Sequence, residues 1–143
     1  MNSYFPDVNV WVALVYEPHV HHSSVMSWLE GIDGLAYFCR HTQLGFLRLI
    51  THPSVMKGDV KSQKEAWQAY DTTLRDERIW YRDEPDRDQL SETLRGLTSA
   101  GYPLSNQWPD AYFAAFARVA GLTLVTFDRA LHKMASEWCL LLR

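Results

Sequence analysis

Three aspartates stand at positions where an α/β chain places reactive groups: Asp7 after a short apolar run, Asp110 at the opening of an apolar helix, and Asp128 directly after the run Leu122 to Phe127. Each alone has an ordinary use as a helix cap or as a favourable charge at a helix start. Together, at the ends of separate elements, they repel one another unless a cation neutralises them. Hard divalent ions such as Mg²⁺ and Mn²⁺ are bound by carboxylate oxygens and water, so a carboxylate-held metal is the chemistry this set suggests.

The elements that must position these acids follow from apolar periodicity. Tyr4 to Val8 reads as a strand passing almost directly into a helix through Val10, Trp11, Leu14 and Val15. A second helix starting near Ser23 or Ser24 ends at Gly31 and Gly34, and Leu35 to Cys39 reads as the second strand. Thr42 is placed to cap a third helix carrying Leu44, Phe46, Leu47, Leu49 and Ile50, which Pro53 stops. Ser62 begins a helix through Ala66, Trp67, Tyr70 and Leu74, with Ile79 to Tyr81 as strand three and a further helix on Leu90, Leu94 and Leu97. The helix Asp110 to Ala120, introduced by Trp108 and Pro109 and closed by Gly121, leads to strand four. The short helix Arg129 to Ala135 then precedes strand five at Cys139 to Leu142. Strands alternating with helices require crossover connections, which predicts one three-layer α/β/α domain over residues 1–143 with a central, mostly parallel sheet of about five strands. In such a sheet ligands bind at the carboxyl ends of the strands, where Asp7 and Asp128 lie.

Composition narrows the function. A chain of 143 residues with 47% hydrophobic and 22% charged residues is globular in balance. The net charge of −3 argues against coating nucleic acid by bulk positive charge, so any such contact must be local. Of the 31 charged residues, 18 fall between Lys57 and Arg95, where mixed signs point to a solvated face. No apolar run reaches membrane-spanning length and the N-terminus lacks a signal pattern, so a soluble, cytoplasmic protein is expected. Cys39 and Cys139 lack metal-site spacing and read as buried thiols. His19, His21 and His22 have no Cys or carboxylate at ligand spacing and read as a solvated helix start.

Four segments in order, Pro6-Asp7-Val8-Asn9-Val10, His41 to Arg48, Asp110 to Ala117 and Thr126-Phe127-Asp128-Arg129, resemble the PIN-domain nucleases, specifically VapC-type toxins of type II toxin–antitoxin pairs. The resemblance spans nearly the whole chain. It implies a Mg²⁺- or Mn²⁺-dependent endoribonuclease in which Asp7, Asp110 and Asp128 match acidic metal-binding positions and Thr126 matches a hydroxyl that steadies them. One ion held by Asp7 and Asp128 would activate water, and a looser one near Asp110 would stabilise the leaving oxygen. Gln43 departs from the family, where many members carry Glu, and would leave the site one negative charge short. The resemblance further implies a structured RNA substrate, an antitoxin partner and a homodimer.

Arg40 and Arg48 flank the Gln43 motif and are candidates for RNA phosphates, with His41 beside them, and Trp108 for a base, although helix stapling also explains a Trp there. The competing reading is a PIN-like domain that binds RNA or protein without turnover. A receiver-type phosphoryl-transfer domain lacks its Gly-rich loop here.

Overall fold

The computed structural model describes residues 2–143. Five strands, β1 (Ser3–Pro6), β2 (Leu35–Phe38), β3 (Ile79–Tyr81), β4 (Thr123–Thr126) and β5 (Cys139–Leu141), form one sheet in the order β3-β2-β1-β4-β5. Every neighbouring pair is parallel, with Tyr4 opposite Ala36 and Pro6 opposite Val125. Parallel neighbours cannot be joined by tight turns, so helices carry each connection. These are α1 (Val8–Val15) and α2 (His22–Gly31), then α3 (Arg40–Ile50), α4 (Pro53–Met56) and α5 (Gln63–Thr73), then α6 (Arg87–Leu97) and α7 (Trp108–Ala120), and finally α8 (Arg129–Met134). Strand order reverses at β1, which opens the crevice of a doubly wound sheet between the ends of β1 and β4.

Side-chain alternation along the strands decides which face each residue serves. Ala36 and Phe38 pack with Trp11, Leu29, Phe46, Ile50 and Tyr70 from α1, α2, α3 and α5. Phe5 and Leu124 face the other way, onto Leu90, Phe113, Phe116 and Leu131 from α6, α7 and α8. Each layer has an aromatic stack at its centre: Trp11 on Phe38 at 3.9 Å and Phe5 on Phe116 at 4.4 Å between ring centroids. The small residues Ala111, Ala114, Ala115 and Ala117 are fully buried and bring α7 close to the sheet.

The expected alternation is present, with corrections at particular positions. The strands at Tyr4 to Val8, Leu122 to Phe127 and Cys139 to Leu142 are shorter than their apolar runs, because the helix caps and turns take the flanking residues. The second helix begins at His22, before the serines expected to start it. Cys39 lies outside β2 and is the N-cap of α3. Thr42 is therefore not the cap but the third residue of the helix, its Oγ1 accepting from the Cys39 amide at 2.9 Å. Leu44 and Trp67, assigned to apolar faces, are 56% and 47% exposed, since the apolar stripes of α3 and α5 are narrower than the residues that could belong to them. Cys139 is half-buried rather than buried. Burial pushes its thiol up to about 12 and raises that of Cys39, so both stay protonated and weakly reactive. No helix among the described residues is long and apolar enough to cross a membrane.

Candidate active site

Asp7 follows the last residue of β1, and its own amide extends the β1–β4 pairing by donating to the Val125 carbonyl at 3.0 Å. Its side chain caps α1, Oδ1 accepting from the Val10 amide at 3.2 Å. The Thr126 hydroxyl, at the end of β4, donates to Asp7 Oδ2 and accepts from the Asp128 amide, the latter at 3.0 Å. One buried hydroxyl thus ties the end of β1 to the turn that carries Asp128. Asp128 caps α8, with both cap bonds, from the Ala130 and Leu131 amides, going to Oδ1. Asp110 sits in the first turn of α7 and is partly buried.

Asp7 is only 7% exposed, and burial raises its carboxyl to about 6 against the lowering effect of its bonds to Thr126 and Val10. The charges of Asp110 and Asp128 push it in the same upward direction. Asp110 is likewise raised, by burial first and then by Asp128. The three acids therefore share one electrostatic neighbourhood, and none is in an ion pair among the described residues. Hard oxygen donors with uncompensated charge fit a divalent cation chemically. Yet no three His, Cys, Asp or Glu side chains among the described residues stand close enough together to hold an ion as they are. The two observations are compatible because Coulomb repulsion acts over longer distances than coordination.

The remaining candidates divide. Gln43 is buried, but its Oε1 accepts from Arg40 Nη1 at 2.6 Å, so the carbonyl available for an ion is already occupied by a cation. Arg40 also lies over the Tyr81 ring at 5.3 Å. Arg48 is exposed in the last turn of α3, lining a separate surface hollow with Trp67, away from the acids. Trp108 is 57% exposed and packs as an open wall of a pocket of about 310 Å³ with Leu97, Tyr102 and Pro103, not as a buried staple. His41 packs against Tyr112, whose hydroxyl donates to Glu84. The sequence reading missed that Tyr112–Glu84 link, which joins residues 28 apart across α6 and has no local signal. It also missed how the histidines are used: His22 Nδ1 pairs with the Ala13 carbonyl at 2.8 Å, and His21 stacks on Phe127 at 4.0 Å.

Comparison with known proteins agrees with this architecture. The family model for the PIN domain matches residues 4–137. Ribonuclease VapC41 of Mycobacterium tuberculosis is 40% identical over 130 residues, covering 87% of this chain and 88% of that protein. Ribonuclease VapC39 of the same species is 30% identical over 139 residues, covering 91% of each. Among solved structures, VapBC2 from Rickettsia felis bound to a promoter DNA fragment superposes with a TM-score of 0.72 at 16% identity, covering 99% of both chains. VapC20 of Mycobacterium tuberculosis, a Sarcin-Ricin loop cleaving toxin, gives 0.63 at 15% identity, covering 91% of this chain and 93% of that one. With its parallel sheet, its acids at the strand-order reversal and these relatives, the chain belongs to the PIN-domain family and is related to the VapC-type toxins of toxin–antitoxin systems.

Proposed function

We propose that the chain is a metal-dependent endoribonuclease that hydrolyses RNA phosphodiester bonds as the toxin of a toxin–antitoxin pair, a single cytoplasmic domain working as a homodimer. The observation that carries this is the shared electrostatic neighbourhood of Asp7, Asp110 and Asp128, none of them in an ion pair among the described residues. Asp7 and Asp128 would hold a Mg²⁺ or Mn²⁺ ion, with Asp110 facing the same space. Such an ion, when bound, supplies a lowered water pKa and neutralises charge on phosphoryl oxygens.

The chain's own residues do the positioning. Thr126 fixes Asp7 Oδ2 and the Asp128 backbone at once, so the two carboxylates keep their relative placement without bonding each other. The bond from Val10 spends only one lone pair of Asp7 Oδ1. Burial of Asp7 keeps competing water from its carboxylate and strengthens its interaction with any cation that arrives. Arg40, held by Gln43 and Tyr81, offers a guanidinium at the α3 side of the crevice for a substrate phosphate.

A second reading is favoured by a specific observation: the acids do not close into an ion-holding group, and Arg40 occupies Gln43. On geometry alone this supports a PIN-like module that binds RNA or a protein partner with little or no turnover. Total RNA incubated with the purified, antitoxin-free chain and Mn²⁺, Mg²⁺ or EDTA, beside Asp7→Asn, separates the two. Cleavage that needs metal and Asp7 supports the nuclease. RNA binding without cleavage under every metal leaves the binding module.

A further inference from the structure

A strand of RNA cannot be held by carboxylates alone, because its phosphates are repelled by them, and the chain carries a net charge of −3. Beyond the carboxyl ends of β4 and β5 lies a pocket of about 560 Å³ lined by His21, Phe127, Arg129, Leu141, Leu142 and Arg143. Arg129 follows Asp128 in the chain, so the pocket opens on the β5 side of the same crevice. Its wall is ordered by the His21 ring lying on Phe127 with only 13° between planes. Leu142 is fixed by its amide donating to the Thr126 carbonyl at 2.8 Å, and Arg143 by the Ser24 hydroxyl donating to its main-chain oxygen at 2.6 Å. No carboxylate side chain lines the pocket, and neither arginine is in an ion pair among the described residues. Two exposed arginines lining an ordered apolar wall, with no acidic side-chain partner among the described residues, have the charge and fork geometry that recognise a phosphate.

We infer that the Arg129–Arg143 pocket is a subsite for a backbone phosphate of single-stranded RNA next to the one presented to Asp7 and Asp128. The inference rests on the ribonuclease reading and names how that site takes its substrate. It gives a chain of acidic overall charge a local cationic contact for a polyanion.

The test is equilibrium binding of a short, fluorescently labelled single-stranded RNA to the full chain in EDTA, so that nothing is cleaved, across a salt series. Each phosphate contact contributes a slope of about 0.7 in log affinity against log salt for single strands. The double variant Arg129→Gln, Arg143→Gln should bind about tenfold more weakly at low salt and lose about 1.4 from that slope, both contacts being removed. Arg129→Lys with Arg143→Lys should restore the slope, which a merely structural role would not do, and thermal melts of all three proteins establish that they are folded. RNA binding by the parent with unchanged affinity and slope in the folded glutamine variant overturns the subsite and leaves the ribonuclease reading standing. A parent chain that binds no RNA at any salt overturns both.

Discussion

Asp7→Asn should abolish metal-dependent cleavage and yet make the metal-free protein more stable at neutral pH. The carboxyl of Asp7 is raised from 3.8 to about 6 chiefly by burial. Each pKa unit is worth about 1.36 kcal/mol, so holding Asp7 ionised at pH 7 costs the fold about 3 kcal/mol. A group raised in the folded state contributes stability that is fully present below its unfolded value of 3.8 and is lost as pH rises through about 6. Asparagine keeps a side-chain oxygen to cap α1, so the Val10 bond survives, but it cannot accept from the Thr126 hydroxyl as a carboxylate does, which costs about 1 kcal/mol. The net gain is about 2 kcal/mol, or a rise of about 4 to 8 °C in melting temperature for a domain of this size. Calorimetry of both proteins in EDTA at neutral and acidic pH measures it: the gain should shrink towards zero near pH 4.5, where parent Asp7 is mostly protonated. Saturating Mg²⁺ or Mn²⁺ should then stabilise the parent selectively and shrink or reverse the order. A variant that melts at or below the parent at pH 7 in EDTA, with no pH dependence in the difference, would refute the argument that Asp7 is a strained, buried charge.

Thr126→Val removes the hydroxyl that donates to Asp7 and accepts from the Asp128 amide, so it should cost about 1 to 3 kcal/mol by denaturant titration and lower cleavage more than Arg48→Ala does. Gly34→Ala places a methyl 1.5 Å from the Asn2 carbonyl oxygen, a backbone atom that cannot swing aside, and should cost at least about 2 kcal/mol by separating the start of β1 from β2. Phe116→Ala, losing the ring stacked on Phe5, should cost about 3 to 5 kcal/mol in the same titration. Trp11→Phe removes a buried indole N–H that has no acceptor, so its loss of stability should be markedly smaller, about 1 kcal/mol or less.

The layered architecture was legible because the strands are short apolar runs punctuated by turn residues and the helices carry period-3.6 stripes, signals that are local in the chain. Asp7 and Asp128 could be placed at strand ends for the same reason. Thr126 was legible by resemblance, but its double role depends on the β1–β4 pairing, which joins residues 119 apart and has no local signature. Apolar character alone misplaced Trp67 and Leu44, because a helix buries only the stripe that meets a neighbour and these side chains lie beyond it. Gln43 is expected from sequence only to leave the site one negative charge short, whereas the structure gives its carbonyl to Arg40 three residues earlier, beside the stacking of Arg40 on Tyr81. The His21, Arg129 and Arg143 pocket was invisible in sequence because it gathers three distant segments around the edge strand.

The central place of β1 sets the order in which the molecule comes into being. Its first strand is flanked by β2, which leaves the ribosome early, and by β4, which is made only in the last sixth of the chain. Until then Phe5 lacks Leu124 as a neighbour, and Asp7 has neither Thr126 to orient it nor Asp128 beside it. A chain lacking β4 is therefore unfinished in its hydrophobic layer and leaves the Asp7 carboxyl without the hydroxyl that holds it. The pairing of β1 with β4 thus completes the apolar layer and the setting of Asp7 in one event.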